Sequence, residues 1–228
     1  MLNSPVIDSG IARIAPDFRA ASILVDAKDI VRGTMSPDVL DEACEFVRAG
    51  GPQWADAHLA AWAEVYSRFG AKPNRTPCSA QALKKRVDKD GRLPSINPLV
   101  DLYNAVSLRF AVPVGGENFD AYVGKPRLSI ADATEIFDSV ANGEAIIEHP
   151  SNGEVIWRDD VGVTCRRWNW RQGTRTRLDS VSGRMWFILE SLGEMPEEAL
   201  EEAANMLVKG LRQLAPGCEI HRQKLVVA

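Results

Sequence analysis

The period of the apolar residues changes part-way along this chain, and that change limits its fold more than any other feature. Between Pro37 and Phe110 apolar residues recur at helical spacing. Val39, Leu40, Ala43, Phe46 and Val47 follow Ser36-Pro37-Asp38, which supplies a serine cap, a proline at the first helical position and an acid in the first turn. Gly50-Gly51 ends that helix. Pro52 opens another, in which Trp54, Ala57, Leu59, Ala61, Trp62, Val65 and Phe69 form an apolar face up to Gly70. Ser79 is read as the cap of a helix reaching Val87, with a turn at Asp90-Gly91. Leu99 to Phe110 is a further, mostly apolar helix, followed by a Pro-rich loop with Gly115-Gly116.

Beyond Asn118 the pattern shortens. Leu128–Ile130, Ala145–Glu148, Glu154–Trp157, Val161–Trp168 and Met185–Glu190 are short runs, several parted by turn residues such as Ser151-Asn152-Gly153 and Ser182-Gly183. Near the start, IARIA and ASILV read as two strands split by Pro16. A helix from Pro196 to Leu214 has Glu197 and Glu198 in its first turn and Lys209 and Arg212 in its last, which suits the helix dipole. A strand from Glu219 to Val227 follows. Helices first and strands later predict an α+β fold, a mostly antiparallel central sheet with helices around it.

A chain of 228 residues buries about 70% of its unfolded surface, so its core needs no staples. Cys44, Cys78, Cys165 and Cys218 are far apart and read as reduced, packed thiols. Neither they nor His58, His149 and His221 form the close pairs a zinc site needs, so no metal and no cofactor is expected. No apolar run approaches the length of a membrane span, and the first residues lack a signal-peptide pattern, so a cytoplasmic protein is expected. The net charge of -4 argues against a broad grip on nucleic acid, though not against a local basic patch such as Lys84-Lys85-Arg86.

Two segments carry a resemblance. PSINPLVDLYNAVSLRFAVPVGGENFD, Pro94 to Asp120, is similar to the editing domain of the phenylalanyl-tRNA synthetase beta subunit. That family has the pattern P-I-N-x-V-V-D-x-T-N-Y-V, a glutamine-proline loop with a histidine, and then F-D. Ile96, Asn97, Val100, Asp101, Asn104, Val106, Pro113, Phe119 and Asp120 match it. The strand MWFILE, Met185 to Glu190, resembles the family strand that ends in Leu-Glu, and VTCRRWNWRQGTRT resembles a signature of free-standing members. The likeness is clearest from Ser79 to Leu192. It implies that residues 1–228 form a single editing-like domain with a helical part over about 1–92.

The resemblance implies a metal-free site that takes the 3′ end of a mischarged tRNA and hydrolyses the ester with an ordered water. By position the family's asparagine is Asn104 and its glutamate Glu190. The threonine position holds Tyr103, and the loop histidine is absent, with Gly115 and Gly116 nearest to it. These departures point to a pocket rebuilt for another substrate. In such a site a carboxylate at Glu190 would hold the substrate's amino group; the alternative is a solvated strand-end acid. Asn104 is either a site residue or a buried structural amide. Asp101 reads as a structural acid bonded to the loop near Pro98.

Between Arg166 and Arg177 there are five arginines and no acid, interleaved with Trp168 and Trp170. Arginine reads phosphate and indole stacks on bases, so Arg166, Arg167, Trp168, Asn169 and Arg171 are candidate contacts for an RNA terminus. The alternative is a sheet surface with arginine–indole stacking and ion pairs. A strand through Trp168 would alternate Arg166 and Trp168 against Cys165 and Arg167. Cys165 beside arginines is a weaker candidate nucleophile, since no histidine partner can be named. The leading expectation is deacylation of a mischarged aminoacyl-tRNA in trans. The alternatives are a non-catalytic tRNA or RNA binder, or a binder of a free amino acid or related metabolite.

Overall fold

In the computed structural model, residues 4–27, 38–141, 143–178 and 183–227 are described. In chain order, β1 (Val6–Ile7), α1 (Ile11–Ile14) and β2 (Arg19–Asp26) come first. Next are the helices α2 (Val39–Arg48), α3 (Ala55–Arg68), α4 (Ser79–Asp90) and α5 (Pro98–Phe110). The strands β3 (Val114–Asn118), β4 (Arg127–Ile130), β5 (Phe137–Ala141), β6 (Glu144–Glu148), β7 (Val155–Arg158), β8 (Val163–Arg166), β9 (Arg171–Gln172) and β10 (Arg184–Ser191) follow, then α6 (Glu197–Leu214) and β11 (Glu219–Val226).

The strands form two sheets. One runs β11-β2-β10-β3, antiparallel throughout. The other runs β1-β4-β7-β8-β5-β6, with β9 beside β8 and with parallel pairings at β1–β4 and β5–β8. The α+β expectation therefore holds.

Strand β10 is buried on both faces, and its alternation sorts the core. Met185, Phe187 and Leu189 join α5 and α6 in one cluster with Ile23, Val25, Leu102, Val106, Leu207 and Leu211. Trp186 and Ile188 join the other, with Leu59, Trp62 and Tyr66 of α3 and Leu128, Val155 and Trp157 of the second sheet. Glu190 shares the face of Trp186 and Ile188.

Helix α5 begins as the sequence suggests. The Asn97 side chain accepts from the backbone N–H groups of Leu99 and Val100, and Pro98 stands where no N–H is needed. The buried Asp101 carboxylate accepts from Ser95 Oγ and from the N–H of Ile96 at 2.9 Å, the structural role expected of it. Helix α4 runs on to Asp90, and Gly91 closes it in the left-handed region at φ 77°.

Several expectations are corrected. IARI is one helical turn rather than a strand, because so short an apolar run has no period of its own; Ile11 and Ala15 are buried four residues apart. The stretch read as a loop at Gly115-Gly116 is β3, paired with β10. Gly116 is required there, since a Cβ would lie 2.9 Å from the Phe187 ring and from Leu178. Strand β5 is an addition to the expected strands. Ser79 does not cap α4; Cys78 occupies the cap position. Strand β8 stops at Arg166, because Arg167 and Trp168 turn into the left-handed region at φ 47° and 66°, so strand alternation does not extend to Trp168. The cap assigned to Ser36-Pro37 and the Ser182 half of the Ser182-Gly183 turn lie outside the described residues.

Candidate functional site

The left-handed pair Arg167-Trp168 is the local feature from which the site is built. A non-glycine residue in that region costs about 1–3 kcal/mol and persists only where its surroundings hold it. Here Trp168 donates its backbone N–H to Val155 O at 2.6 Å, and its ring meets Phe18 at 5.1 Å and Trp62 at 5.3 Å, centroid to centroid. The reversal turns Trp168 and Asn169 back under β10, where both reach Glu190.

Glu190 is 1% exposed. Its Oε1 accepts from Trp157 Nε1 at 2.9 Å and from Trp168 Nε1 at 3.0 Å, and its Oε2 accepts from Asn169 Nδ2 at 2.9 Å. Asn169 is fixed in turn by Tyr66, whose hydroxyl donates to Oδ1 at 2.8 Å. Burial raises the Glu190 carboxyl to about 7; the three donors favour the ionised form but do not undo the loss of water.

A second carboxylate, Glu117 on β3, is 5% exposed. It accepts from the Tyr122 hydroxyl, from Thr176 Oγ1 at 3.0 Å and from Gln172 Nε2 at 3.3 Å. Burial pushes this group up as well. Both acids line one cavity with room of about 120 Å³, together with Tyr103, Gly115, Gly116, Trp157, Trp168, Asn169, Trp170, Trp186 and Ser79. That is the order of the ~150 Å³ cavities that hold a benzene ring. The Ser79 hydroxyl is shielded from solvent yet has no hydrogen-bond partner among the described residues. The lining holds no lysine, arginine or histidine among the described residues.

The structure brings Glu190, Tyr103, Gly115, Gly116, Trp168 and Asn169 together on this cavity. Gly115 sits opposite Ile188, and a Cβ there would come within 3.2 Å of Ile188 Cγ2. Tyr103 is half-buried, and burial raises its hydroxyl to about 12. Asn104 lies half-buried on α5, away from the cavity lining.

The arginines are not brought to the cavity. Arg166, 6% exposed, gives Nε and Nη2 to Glu154 at 2.9 and 2.8 Å and Nη1 to Glu148 at 2.8 Å. Arg171 bonds Glu148 at 2.6 Å and lies over the Phe137 and Trp170 rings. Arg167 stacks on Trp170 at 4.4 Å. Arg175 grips the fully buried Asp159 with two bonds, at 2.8 and 2.9 Å. This network of ion pairs and stacks is the alternative that the arginine-rich stretch had left open.

Cys165 also lines the cavity, but burial and the nearby carboxylates hold its thiol well above the usual range, the reverse of what a nucleophile needs. His58 is fully buried away from it, bonded to Ala111 O at 2.9 Å, to Trp62 Nε1 at 3.2 Å and to the Leu192 N–H at 3.1 Å. His149 Nδ1 bonds Glu135 O at 2.9 Å. Among the described residues no three or more His, Cys, Asp or Glu side chains are placed to hold a metal ion, and no helix is long and apolar enough to cross a membrane.

Sequence reading missed Glu117, Trp157, Trp186 and Ser79 as cavity residues. For Trp186 a signal existed: two-residue alternation in MWFILE puts it on the face of Glu190. For Glu117 there was none, since nothing marks one glutamate after two glycines.

Residues 61–215 match the family model of the B3/4 domain. The chain belongs to the B3/4 domain family. The matched stretch contains every residue that lines the cavity. The fold is also similar to a solved N-terminal fragment of the phenylalanyl-tRNA synthetase beta subunit from Pyrococcus horikoshii, with a TM-score of 0.51 and 12% identity. The alignment covers 97% of this chain and 53% of that fragment, so this B3/4 protein spans about half the fragment's length. No curated protein matches the sequence significantly. Family and fold together make the chain a relative of the synthetase beta-subunit domain, as Pro94–Asp120 and MWFILE had suggested.

Proposed function

We propose that this B3/4 protein hydrolyses a mischarged aminoacyl-tRNA in trans, taking the aminoacyl group into the cavity beside Glu190. The observation that carries the proposal is the Glu190 carboxylate itself. It stands on the cavity wall, fixed by three neutral donors, with a pKa raised to about 7. A group that titrates near neutrality suits proton transfer in the transition state.

In this scheme ionised Glu190 takes a proton from a water that attacks the ester carbonyl carbon. The bond from that carbon to the ribose oxygen breaks, and the proton passes to the leaving hydroxyl. The Ser79 hydroxyl, without a hydrogen-bond partner among the described residues, is placed to donate to the developing oxyanion. Helix α4 begins at the cavity with Ser79 and carries exposed Lys85 and Lys89, with Arg86 paired to Asp90 at 3.8 Å, and the two lysines are suited to the phosphates of an incoming 3′ end. Tyr103 and Gly115 bound the space in which the side chain of the amino acid would be sorted.

The test is deacylation of a panel of aminoacyl-tRNAs at micromolar protein. Hydrolysis of at least one member well above buffer is expected, and no hydrolysis of any would defeat the proposal. A second reading, a pocket for a free amino acid, is favoured by the indole lining and by the pairing of the arginines with Glu148, Glu154 and Asp159, which leaves RNA contact mainly to α4. A thermal-shift screen with free amino acids separates the two: a raised melting point without deacylation supports the binder.

A further inference from the structure

Glu117 has no counterpart among the site residues that the synthetase resemblance implies, yet it lines the same cavity as Glu190. In the β3–β10 register it lies opposite Trp186, and Glu190 stands four residues further along the same face. At ~3.4 Å per residue that separates their stations by about 14 Å of strand. Gly115, opposite Ile188 between them, adds no side chain. Two acids thus flank one space.

Their partners are all neutral. Tyr122, Thr176 and Gln172 hold Glu117; Trp157, Trp168 and Asn169 hold Glu190. Among the described residues no cation lines the cavity, although four arginines a few residues away are paired with Glu148, Glu154 and Asp159. A buried carboxylate without a cation is costly when ionised. A carboxylate has about four acceptor sites. Glu190 uses two on Oε1 and one on Oε2, which leaves one on Oε2 for the attacking water. Glu117 likewise uses two on Oε1 and one on Oε2, which leaves one for a guest. Indole walls attract cations further.

We propose that Glu117 makes this pocket selective for an aminoacyl group whose side chain ends in an amine, with Glu117 meeting that side-chain nitrogen while Glu190 keeps its place beside the ester. The inference rests on the reading of this cavity as an aminoacyl site and adds the chemical class of the substrate. A guest with a side-chain amine supplies the cation that Glu117 lacks. The family's tyrosine would leave Glu117 without a cation.

Isothermal titration with the wild-type protein separates this claim from the hydrolase reading, because amides are not hydrolysed. The probes are lysinamide and its near-isostere norleucinamide, which keeps the α-amine and lacks the side-chain amine. Lysinamide is expected to bind about tenfold or more tightly. Glu117→Gln should remove that preference and leave norleucinamide within about twofold of wild type, with an unchanged circular dichroism spectrum as the check on folding. Equal binding of the two amides by wild type, no binding of lysinamide, or an intact preference in Glu117→Gln would each overturn the inference. Hydrolysis of a neutral aminoacyl-tRNA by a protein that ignores lysinamide would leave the hydrolase standing and this claim fallen.

Discussion

Trp168 Nε1 donates to Glu190 Oε1 at 3.0 Å across a gap of 22 residues, from a tryptophan in the left-handed backbone region to a strand carboxylate that is 1% exposed. This bond ties the reversal after β8 to the chemistry proposed for β10. Trp168→Phe keeps a buried ring but removes one of the three donors that favour the ionised carboxylate. Stability should fall by about 1–3 kcal/mol, and the Glu190 pKa should rise further, moving the ionisation limb of the pH–rate profile to higher pH. Urea unfolding and that profile report the two effects separately.

Glu190 and His58 oppose each other in the pH dependence of stability. The Glu190 pKa is raised from 4.5 to about 7, so its contribution to stability is lost as pH rises through that window. The His58 pKa is lowered, chiefly by burial, from 6.5 to about 4, so its contribution is lost as pH falls through that one. Glu190→Gln removes the first alone. The wild type should lose on the order of 3 kcal/mol relative to the variant between pH 4.5 and 7, from the raised Glu190 pKa at about 1.4 kcal/mol per pH unit. A difference that stays constant across this range would contradict the assignment.

How much of this was legible beforehand depended on whether the signal was local. Helix α5 and strand β10 were readable, because Pro98 and helical spacing mark the one and a compact apolar run the other. Strand β3 was not, because two glycines read as a loop, and only the distant Phe187 ring explains Gly116. The arginine-rich stretch looked like an RNA surface because its acids lie elsewhere in the chain: Glu148 on β6, Glu154 just before β7 and Asp159 after it. Glu190 could be placed on its strand from sequence, but its burial beneath Trp157 and Trp168 could not, since the turn at Arg167-Trp168 carries no glycine to announce it.

Asp159 anchors the second sheet more than its loop position suggests. Its carboxylate takes two bonds from Arg175 and one each from the N–H groups of Val123, Val161 and Gly162. Replacing it by alanine leaves three backbone donors without their partner and the Arg175 guanidinium with only the Ala121 carbonyl at 2.6 Å. A loss of about 3–5 kcal/mol is expected in chemical denaturation; a loss below about 1 kcal/mol, the range of surface pairs, would show that the site is solvated instead.

Gly116→Ala tests the close approach of β3 to β10. The added methyl would meet Phe187 and Leu178 at 2.9 Å, so overpacking should cost about 1–3 kcal/mol. The melting temperature should fall accordingly, while an unchanged value would mean that the ring yields freely.

The most direct test of the central claim is single-turnover deacylation of the aminoacyl-tRNA that the panel identifies, followed across pH with the wild type and with Glu190→Gln. The account predicts a wild-type rate that rises through a pKa of about 7 and a variant that loses both the limb and most of the rate. A folded Glu190→Gln protein that deacylates at the wild-type rate would contradict it.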